Sequence, residues 1–385
     1  MKHDGQVFAA KPRYEILDGL RGVAALMVVA FHLLEVYSGG NHFKQILNHG
    51  YLAVDFFFVL SGFVIGYAYD DRWAKGMTTW GFFRRRLIRL HPLVILGTLF
   101  GAALFYFQDG SPDWAGISQV SVGKLILVTL VCLTMIPCGK TLDIRGWGET
   151  NPLNGPVWSL QWEYLANFLY GTVIRRFRTW ALAAFVALSA VLTLTLCLNI
   201  DFMGWLATRD YAAYTVIGGW SLTPDQLQIG LTRLLYPFFA GLLLSRLNWR
   251  IPVRRNGFVL CSFLVIAALA MPCLGTEAKP LANGIYEAIV ILLVFPFIVA
   301  LGAGSATPLG WLGRICRFSG EISFPIYIMH FPLVYMQASW ANAHPNASAG
   351  QCWAVGVSMF ALAIVTAYAA LRLYDLPVRK WLSRK

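Results

Sequence analysis

The first long apolar stretch of the chain carries ionisable residues whose types and spacing are suited to chemistry. Arg21 and His32 are eleven residues apart, so a helix places them on one face, about 16 Å apart along its axis. Glu35 follows one turn after His32. Ionisable side chains inside apolar segments are functional by default, although positions near an interface are tolerated more easily. His32 is therefore either a functional imidazole or an interfacial one held by a hydrogen bond. The alternative for Arg21 is a long side chain that extends its charge to the membrane surface.

A group of arginines follows the second apolar stretch. Arg85 and Arg89 are four residues apart and Arg86 and Arg89 three apart, so a helix stacks them at its cytoplasmic end. Several guanidinium groups together are suited to phosphate groups, which each of them binds through two hydrogen bonds. The alternative is a positively charged anchor at the cytoplasmic surface. That interpretation suits Arg84 better than Arg89, because Arg89 already lies inside the apolar pattern.

Two carboxylates also lie within apolar stretches. Asp55 costs about 2.5–3.5 kcal/mol on the insertion scale unless it has a partner. Pro156, with Asn154 just before it, is a helix start signal. Glu163 then lies about 10 Å into that helix from its outer end, a depth similar to that of His32. The sequence predicts that Glu163 and His32 form either an acid–base pair or a structural ion pair.

Two further polar positions favour structural roles. Ser61 and Gly62 together are typical of close helix packing. His330, inside a late apolar stretch, is expected to make a structural hydrogen bond. The seven cysteines show neither a C-x-x-C pair nor His/Cys metal spacing, so the sequence predicts no metal site.

The composition predicts an all-α polytopic membrane protein that holds these residues within the bilayer. Of the 385 residues, 57% are hydrophobic and only 13% are charged, whereas a soluble domain has about 25% charged residues. Apolar runs long enough to cross a hydrocarbon core recur along the chain. The ten candidate spans are 16–37, 50–70, 87–107, 157–174, 179–199, 226–246, 256–274, 284–302, 323–340 and 353–376.

The positions of the basic residues predict the orientation. The net charge of +12 is concentrated in short clusters between apolar runs, so it indicates topology rather than nucleic-acid binding. If the shorter apolar stretch 121–137 enters and leaves on the outer side, all clusters become cytoplasmic, and so do both termini. Such a re-entrant segment is acceptable where it is buried in protein or lines a cavity. The few basic residues left near the outer face are Lys44, Lys124, Lys140, Arg145, Arg209, Arg233 and Lys279.

With these segments defined, the chain resembles the membrane-bound acyltransferase family 3, the carbohydrate O-acyltransferases. The family pattern begins with L-D-G-L-R-G and a histidine eleven residues after the arginine, which Arg21 and His32 match. The later elements, in order, are G-x-x-x-D-x-F-F-x-x-S-G-F, R-R-x-x-R-x-x-P, W-S-L-x-x-E, G-x-x-S-Y-x-x-Y-x-x-H and E-x-P. Gly50 or Tyr51 matches the first glycine of these elements only loosely. The other matches are Asp55, Phe57, Phe58, Ser61, Gly62 and Phe63; Arg85, Arg86, Arg89 and Pro92; Trp158, Ser159, Leu160 and Glu163; Gly320, Ser323, Tyr327 and His330; and Asp375 with Pro377.

The matches follow the family order over nearly the whole chain, which makes the set specific although each element alone is weak. Phe324, where tyrosine is usual, and Asp375, where glutamate is usual, are conservative departures. Some relatives carry a further hydrolase-like domain outside the membrane. Here a single transmembrane domain over residues 1–385 is expected, without an appended soluble domain.

The resemblance implies an enzyme of the bacterial cytoplasmic (inner) membrane. Such an enzyme is expected to move an acyl group, usually acetyl, from acyl-coenzyme A to a carbohydrate hydroxyl beyond that membrane, with acyl-coenzyme A as a co-substrate and no permanently bound cofactor. His32 is expected to act as general base or to carry the acyl group, and Glu163 to orient His32 or the acceptor. Asp55 completes the predicted catalytic set. The predicted donor-binding residues are Arg21, Arg85, Arg86 and Arg89, and the predicted acceptor-binding or structural residues are Trp158, Ser159, Ser61, Tyr327, His330 and Glu35.

Two other classes of protein use similar residues. A transporter or flippase passes an anionic or sugar substrate along intramembrane polar groups, and a membrane scaffold carries no chemistry at all. The ordered set of motifs favours the enzyme over both.

Overall fold

The computed structural model describes residues 11, 13–41, 43–108, 117–208 and 213–384. Arg209, one of the basic residues predicted near the outer face, lies outside these ranges. In the described residues, β pairing is limited to two isolated bridges. The α-helices are α1 (Glu15–Ser38), α2 (Ala53–Ala74), α3 (Thr79–Tyr106), α4 (Val122–Leu133), α5 (Val157–Thr172), α6 (Thr179–Cys197), α7 (Pro224–Arg246), α8 (Gly257–Ala270), α9 (Leu281–Ile289), α10 (Phe295–Gly304), α11 (Gly310–Met329), α12 (Phe331–Ala343), α13 (Ala349–Ala369) and α14 (Leu376–Leu382).

Long apolar helices dominate the fold and make the chain a multi-pass membrane protein. Short π-helical turns at Val290–Val294 and Ala370–Asp375 join α9 to α10 and α13 to α14 into continuous helices. Among the described residues, seven helices are long and apolar enough to cross a membrane, and all seven coincide with predicted spans. They are Glu15–Ser38, Gly50–Ala74, Thr79–Tyr106, Thr179–Cys197, Pro224–Arg246, Leu281–Gly304 and Ala349–Leu382.

The other three predicted spans are shorter or interrupted helices. The stretch 157–174 forms α5, with 16 residues, and 256–274 forms α8, with 14 residues. The short helix α4, with 12 residues, occupies the stretch expected to be re-entrant. At 1.5 Å per residue it is about 18 Å long, less than a hydrocarbon core of about 30 Å. The count of ten spans and the cytoplasmic position of both termini stay predictions.

The stretch 323–340 is divided between α11 and α12, which meet at His330. Pro332 explains the break, because proline has no backbone N–H to bond the carbonyl four residues earlier. That carbonyl belongs to Ile328, and it accepts a hydrogen bond from the Asn154 side chain at 2.8 Å instead. The interruption is therefore stabilised by the loop that precedes α5.

Glycines bring two pairs of helices into direct backbone contact. A Cβ atom added at Gly62 on α2 would lie 1.7 Å from the Phe238 carbonyl oxygen of α7, and one at Gly241 would lie 2.0 Å from the Val59 carbonyl oxygen. Gly22 on α1 approaches Ser319 on α11 in the same way. The close packing predicted at Gly62 is confirmed. These contacts fix the depth of α7 against α2 and of α11 against α1.

Candidate functional site

A cavity of about 630 Å³ lies among α1, α2, α5, α7 and α11, and four of the predicted site residues line it: His32, Glu35, Trp158 and Tyr327. Its wall combines aromatic faces with a small number of charged and hydroxyl groups, as binding sites for small molecules usually do. The polar part of the wall includes His32, Glu35, Tyr51, Arg233 and Tyr327, and the aromatic part includes Phe31, Trp158 and Trp220.

His32 is oriented by a carboxylate on its own helix. Its Nδ1 lies 2.8 Å from Oε2 of Glu35, one turn later on α1, and its side chain is 21% exposed. A neutral imidazole that donates from Nδ1 keeps a lone pair on Nε2. The arrangement therefore supplies a fixed imidazole with one nitrogen able to accept a proton.

Glu163 has a different partner from the one that the depth argument predicted. Its Oε1 accepts a hydrogen bond from Arg86 Nη2 at 2.6 Å, and both side chains are largely buried. Within the described part of the chain, the carboxylate bound to His32 is Glu35. Depth along a helix does not fix which neighbouring helix a side chain faces, and α5 presents Glu163 to α3. The catalytic role assigned to Glu163 stays a prediction, as does the phosphate-binding role of Arg86.

Asp55 forms a buried ion pair with Arg233. Arg233 Nη2 and Nε lie 2.7 and 3.2 Å from Asp55 Oδ2, and both side chains are at most 2% exposed. Arg233 also donates to the Tyr51 carbonyl at 2.7 Å and to the Gly218 carbonyl at 3.1 Å. The pair satisfies two charges that are costly alone in the membrane. From the sequence, Arg233 is expected near the outer face without a role. Because Arg233 lies inside an apolar pattern, the sequence indicates that it has a buried partner, but it does not indicate that the partner is Asp55.

The start of α5 is tied to α11 beside the cavity. Ser159 Oγ and Tyr327 Oη lie 2.7 Å apart, and Tyr327 also donates to the Pro156 carbonyl at 3.2 Å. Trp158 turns its ring into the cavity, with the Arg233 guanidinium 5.3 Å from the ring centroid. The structure thus brings three of the predicted acceptor or structural residues together, whereas Ser61 lies half-buried on α2, six residues after Asp55.

His330 lies next to His32, at the junction of α11 and α12. Its Nδ1 donates to the Ile326 carbonyl at 3.0 Å, which is the structural hydrogen bond expected from the sequence. Its ring stacks on the His32 ring, with centroids 5.6 Å apart and planes 26° apart. His330 therefore supports the position of His32 from the interior of the protein.

A buried network of hydrogen bonds, not predicted from the sequence, connects the Tyr51 side chain to residues outside the cavity wall. Tyr51 donates to Oε1 of Glu287 at 2.6 Å, and Asn283 donates to the same oxygen at 2.7 Å. His49 Nε2 lies 2.9 Å from Asn283 Oδ1. Burial lowers the pKa of His49, which favours its neutral form. The network fixes the Tyr51 side of the cavity wall.

The predicted donor-binding arginines diverge. Arg21 donates to Asp18 at 3.0 Å near the start of α1. Arg89 is exposed and lies within electrostatic reach of Arg21, whereas Arg86 turns to α5 and Arg85 is exposed one turn before Arg89. Arg21 and Arg89, on two different helices, therefore form a basic group at the opposite end of α1 from His32.

Fold and site together define a multi-pass, all-helical membrane protein with an oriented imidazole in a cavity wall and a basic group about 16 Å away along α1. The sequence model of the acyltransferase domain, acyltransferase family 3, matches residues 14–372, and the chain belongs to this family. It is an enzyme that transfers acyl groups.

Three relatives illustrate the similarity. Acyltransferase MdmB of Streptomyces mycarofaciens is 26% identical over 97% of this chain and 93% of its own length. Protein 2 in the picA locus of Rhizobium radiobacter is 36% identical over 41% of this chain and 81% of its own length. O-acetyltransferase OatA of Staphylococcus aureus is 24% identical over 86% of this chain, but the match covers 52% of OatA. No solved structure shows a significant match.

Proposed function

We propose that the chain is an O-acyltransferase of a bacterial cytoplasmic membrane. It transfers an acyl group, most simply acetyl, from acyl-coenzyme A to a hydroxyl group of a carbohydrate. The observation that carries the proposal is His32, held at Nδ1 by Glu35 in the wall of the cavity. The similarity to a named O-acetyltransferase supports an oxygen acceptor, and the aromatic faces of Trp158 and Trp220 beside polar groups suit a sugar ring.

In this mechanism His32 is the general base. Its Nε2 removes the proton from the acceptor hydroxyl as the hydroxyl oxygen attacks the thioester carbonyl. The carbon–sulfur bond then breaks, and the coenzyme A sulfur leaves and takes up the proton from His32. Glu35 stabilises the imidazolium that exists between these two proton transfers. The products are the acyl ester of the carbohydrate and free coenzyme A.

The basic group at the other end of α1 is suited to the donor. Arg21 lies about 16 Å along the helix from His32, so a long, flexible donor arm has to run between them. Arg89, which lies within electrostatic range of Arg21, is the group best placed for a donor phosphate. The thioester then reaches His32 while the nucleotide stays at the basic end.

The test is acyl transfer by the purified protein. Radiolabelled acetyl-coenzyme A is supplied with a cell-envelope glycan fraction, and both released thiol and labelled glycan are measured. We expect His32→Ala to reduce both by at least a hundredfold, because general acid–base catalysis contributes about 10²–10⁴-fold.

The matched control is His344→Ala, which removes an exposed histidine at the end of α12. It should act like the wild type. Full transfer by a folded His32→Ala protein would rule out the catalytic assignment. Glycan translocation without thiol release in the wild type would favour a transporter.

A further inference from the structure

The C-terminal helix α14 is attached to the start of α3, where the donor arginines lie. Arg84 Nη2 donates to the Leu382 carbonyl at 3.2 Å and so binds the end of α14. Further along α3, Arg89 lies within electrostatic range of Asp375 and Arg379, near the start of α14. The earlier residue of α3, Arg84, lies at the end of α14, and the later residue, Arg89, lies near its start. The two helices are therefore antiparallel here.

This packing adds a third guanidinium to the basic group formed by Arg21 and Arg89. Arg379 is paired with Asp375 one turn earlier, at 2.7 Å, just as Arg21 is paired with Asp18 at 3.0 Å. Arg89 stands between the two pairs and has no hydrogen-bond or ion-pair partner within the described part of the chain. The three guanidinium groups carry one more positive charge than the two carboxylates neutralise, so this group of residues attracts an anion.

A second observation at the same place points to a ligand. Asp375 is 1% exposed, and its Oδ2 accepts a hydrogen bond from Arg379, but its Oδ1 is buried and has no hydrogen-bond partner among the described residues. An unsatisfied buried carboxylate oxygen is unfavourable, so it indicates a donor group that is supplied from outside the protein. The π-helical turn Ala370–Asp375, which aims this carboxylate, is a distortion that recurs at functional sites.

We propose that Arg379 and Asp375 belong to the donor-binding site. Arg379 and Arg89 bind the phosphate groups of the nucleotide part of the donor, and Asp375 positions Arg379 and accepts a hydrogen bond from an N–H or O–H group of the nucleotide. This inference rests on the proposed function, because it takes acyl-coenzyme A as the donor. It makes α14 a part of the active enzyme and not only a membrane anchor.

The experiment compares donors with and without the nucleotide. The full-length protein, purified in a non-ionic detergent, is assayed with acetyl-coenzyme A and with the acetyl thioester of N-acetylcysteamine, which has no phosphate. In Arg379→Gln we expect the KM for acetyl-coenzyme A, and the Kd of coenzyme A in a thermal-shift titration, to rise about tenfold, because a charge-assisted contact is lost. Activity with the short thioester should stay unchanged.

Lys380→Gln is the matched control, since it removes one charge from the neighbouring, exposed residue of the same helix. We expect it to change coenzyme A binding less than about twofold, because it contacts no proposed ligand group. Arg379→Lys keeps the charge but not the bidentate guanidinium contact, so its affinity should fall between wild type and Arg379→Gln. If the Arg379→Gln protein does not fold, amide hydrogen exchange of the wild-type protein is measured with and without coenzyme A. We then expect coenzyme A to slow exchange in residues 370–382.

Each contrary outcome has its own meaning. Unchanged coenzyme A affinity in Arg379→Gln, or no protection of 370–382, overturns this inference and leaves the proposed function standing. A wild-type protein that binds no coenzyme A contradicts the proposed function itself. Anionic phospholipid headgroups offer the same phosphate chemistry. If phosphatidylglycerol stabilises the wild-type protein but not Arg379→Gln, while coenzyme A stabilises both equally, the site binds lipid and the inference is overturned.

Discussion

At the scale of single residues, the orientation of His32 depends on a contact within one turn of helix. Glu35 holds Nδ1 at 2.8 Å, while Phe331 and His330 pack against the imidazole ring. Removing the charge of Glu35 while keeping its size leaves the ring in place but weakens the stabilisation of its protonated form.

We therefore expect Glu35→Gln to lower kcat about tenfold to a hundredfold, with little change in the KM for acetyl-coenzyme A. Steady-state kinetics with radiolabelled donor measure both constants. Glu321→Gln, which changes an exposed carboxylate paired with Arg372, provides the control and should keep wild-type rates. A Glu35→Gln enzyme with an unchanged kcat would show that Glu35 does not assist His32.

The types of the site residues were visible in the sequence, but most of their partners were not. His32 with Glu35 is a local pair, and the spacing alone places the two on one helix face. Glu163 with Arg86 and Asp55 with Arg233 are pairs between distant helices. Hydropathy and spacing predict a residue's depth in the membrane and its face on its own helix. Its ion-pair partner depends on how neighbouring helices are oriented around their axes, which they do not predict.

At the scale of helices, long apolar runs were predicted well and interrupted ones poorly. Hydropathy identifies a helix such as α1 because it contains a predominantly apolar run long enough to cross the membrane. The break between α11 and α12 depends on Pro332 together with the Asn154 side chain, and that contact joins segments 174 residues apart. Similarly, hydropathy predicts α14 only as the end of a span, whereas the hydrogen bond from Arg84 of α3 to the Leu382 carbonyl ties α14 to α3.

The segment between α4 and α5 contains a buried carboxyl group that links the segment to α12. Glu149 accepts a hydrogen bond from Tyr335, beside Arg145, whose guanidinium lies 3.6 Å from the Tyr335 ring centroid. Burial raises the pKa of Glu149 from 4.5 to about 7, and the Tyr335 hydrogen bond and the Arg145 charge oppose this rise only in part. The folded protein therefore holds a proton on Glu149 at pH values where the unfolded chain has lost it.

This linkage predicts a stability that falls as the pH rises. The contribution of protonated Glu149 is complete below pH 4.5 and is lost as the pH passes through about 7. Its full size is about 3 kcal/mol, because each tenfold difference in proton affinity between the folded and unfolded states corresponds to about 1.4 kcal/mol. Thermal unfolding in detergent between pH 5 and 8 should show the decline in the wild type and a flatter profile in Glu149→Gln. Parallel profiles of the two proteins would assign the pH dependence to other groups.

At the scale of the whole molecule, α1 connects two chemically different regions. Arg21 and the basic group lie near its start, and His32 with the cavity lies toward its end. The basic residues predict that the start of α1 faces the cytoplasm. With this orientation, the proposed function requires the donor to enter from the cytoplasmic side and the acceptor to enter the cavity from the other side.

This arrangement predicts acyl transfer across a sealed bilayer. Proteoliposomes are prepared with the cell-envelope glycan fraction enclosed, and radiolabelled acetyl-coenzyme A, which does not cross lipid, is added outside. Protein molecules with their arginine end outward should label the enclosed glycan, because the thioester reaches His32 through the protein while the nucleotide stays at Arg89. Arg89→Gln should reduce this labelling about tenfold, through the loss of a charge-assisted contact with the donor phosphate. If label appears only when donor and glycan share a compartment, the cavity and the basic group open to the same side, and acyl transfer across the membrane is ruled out.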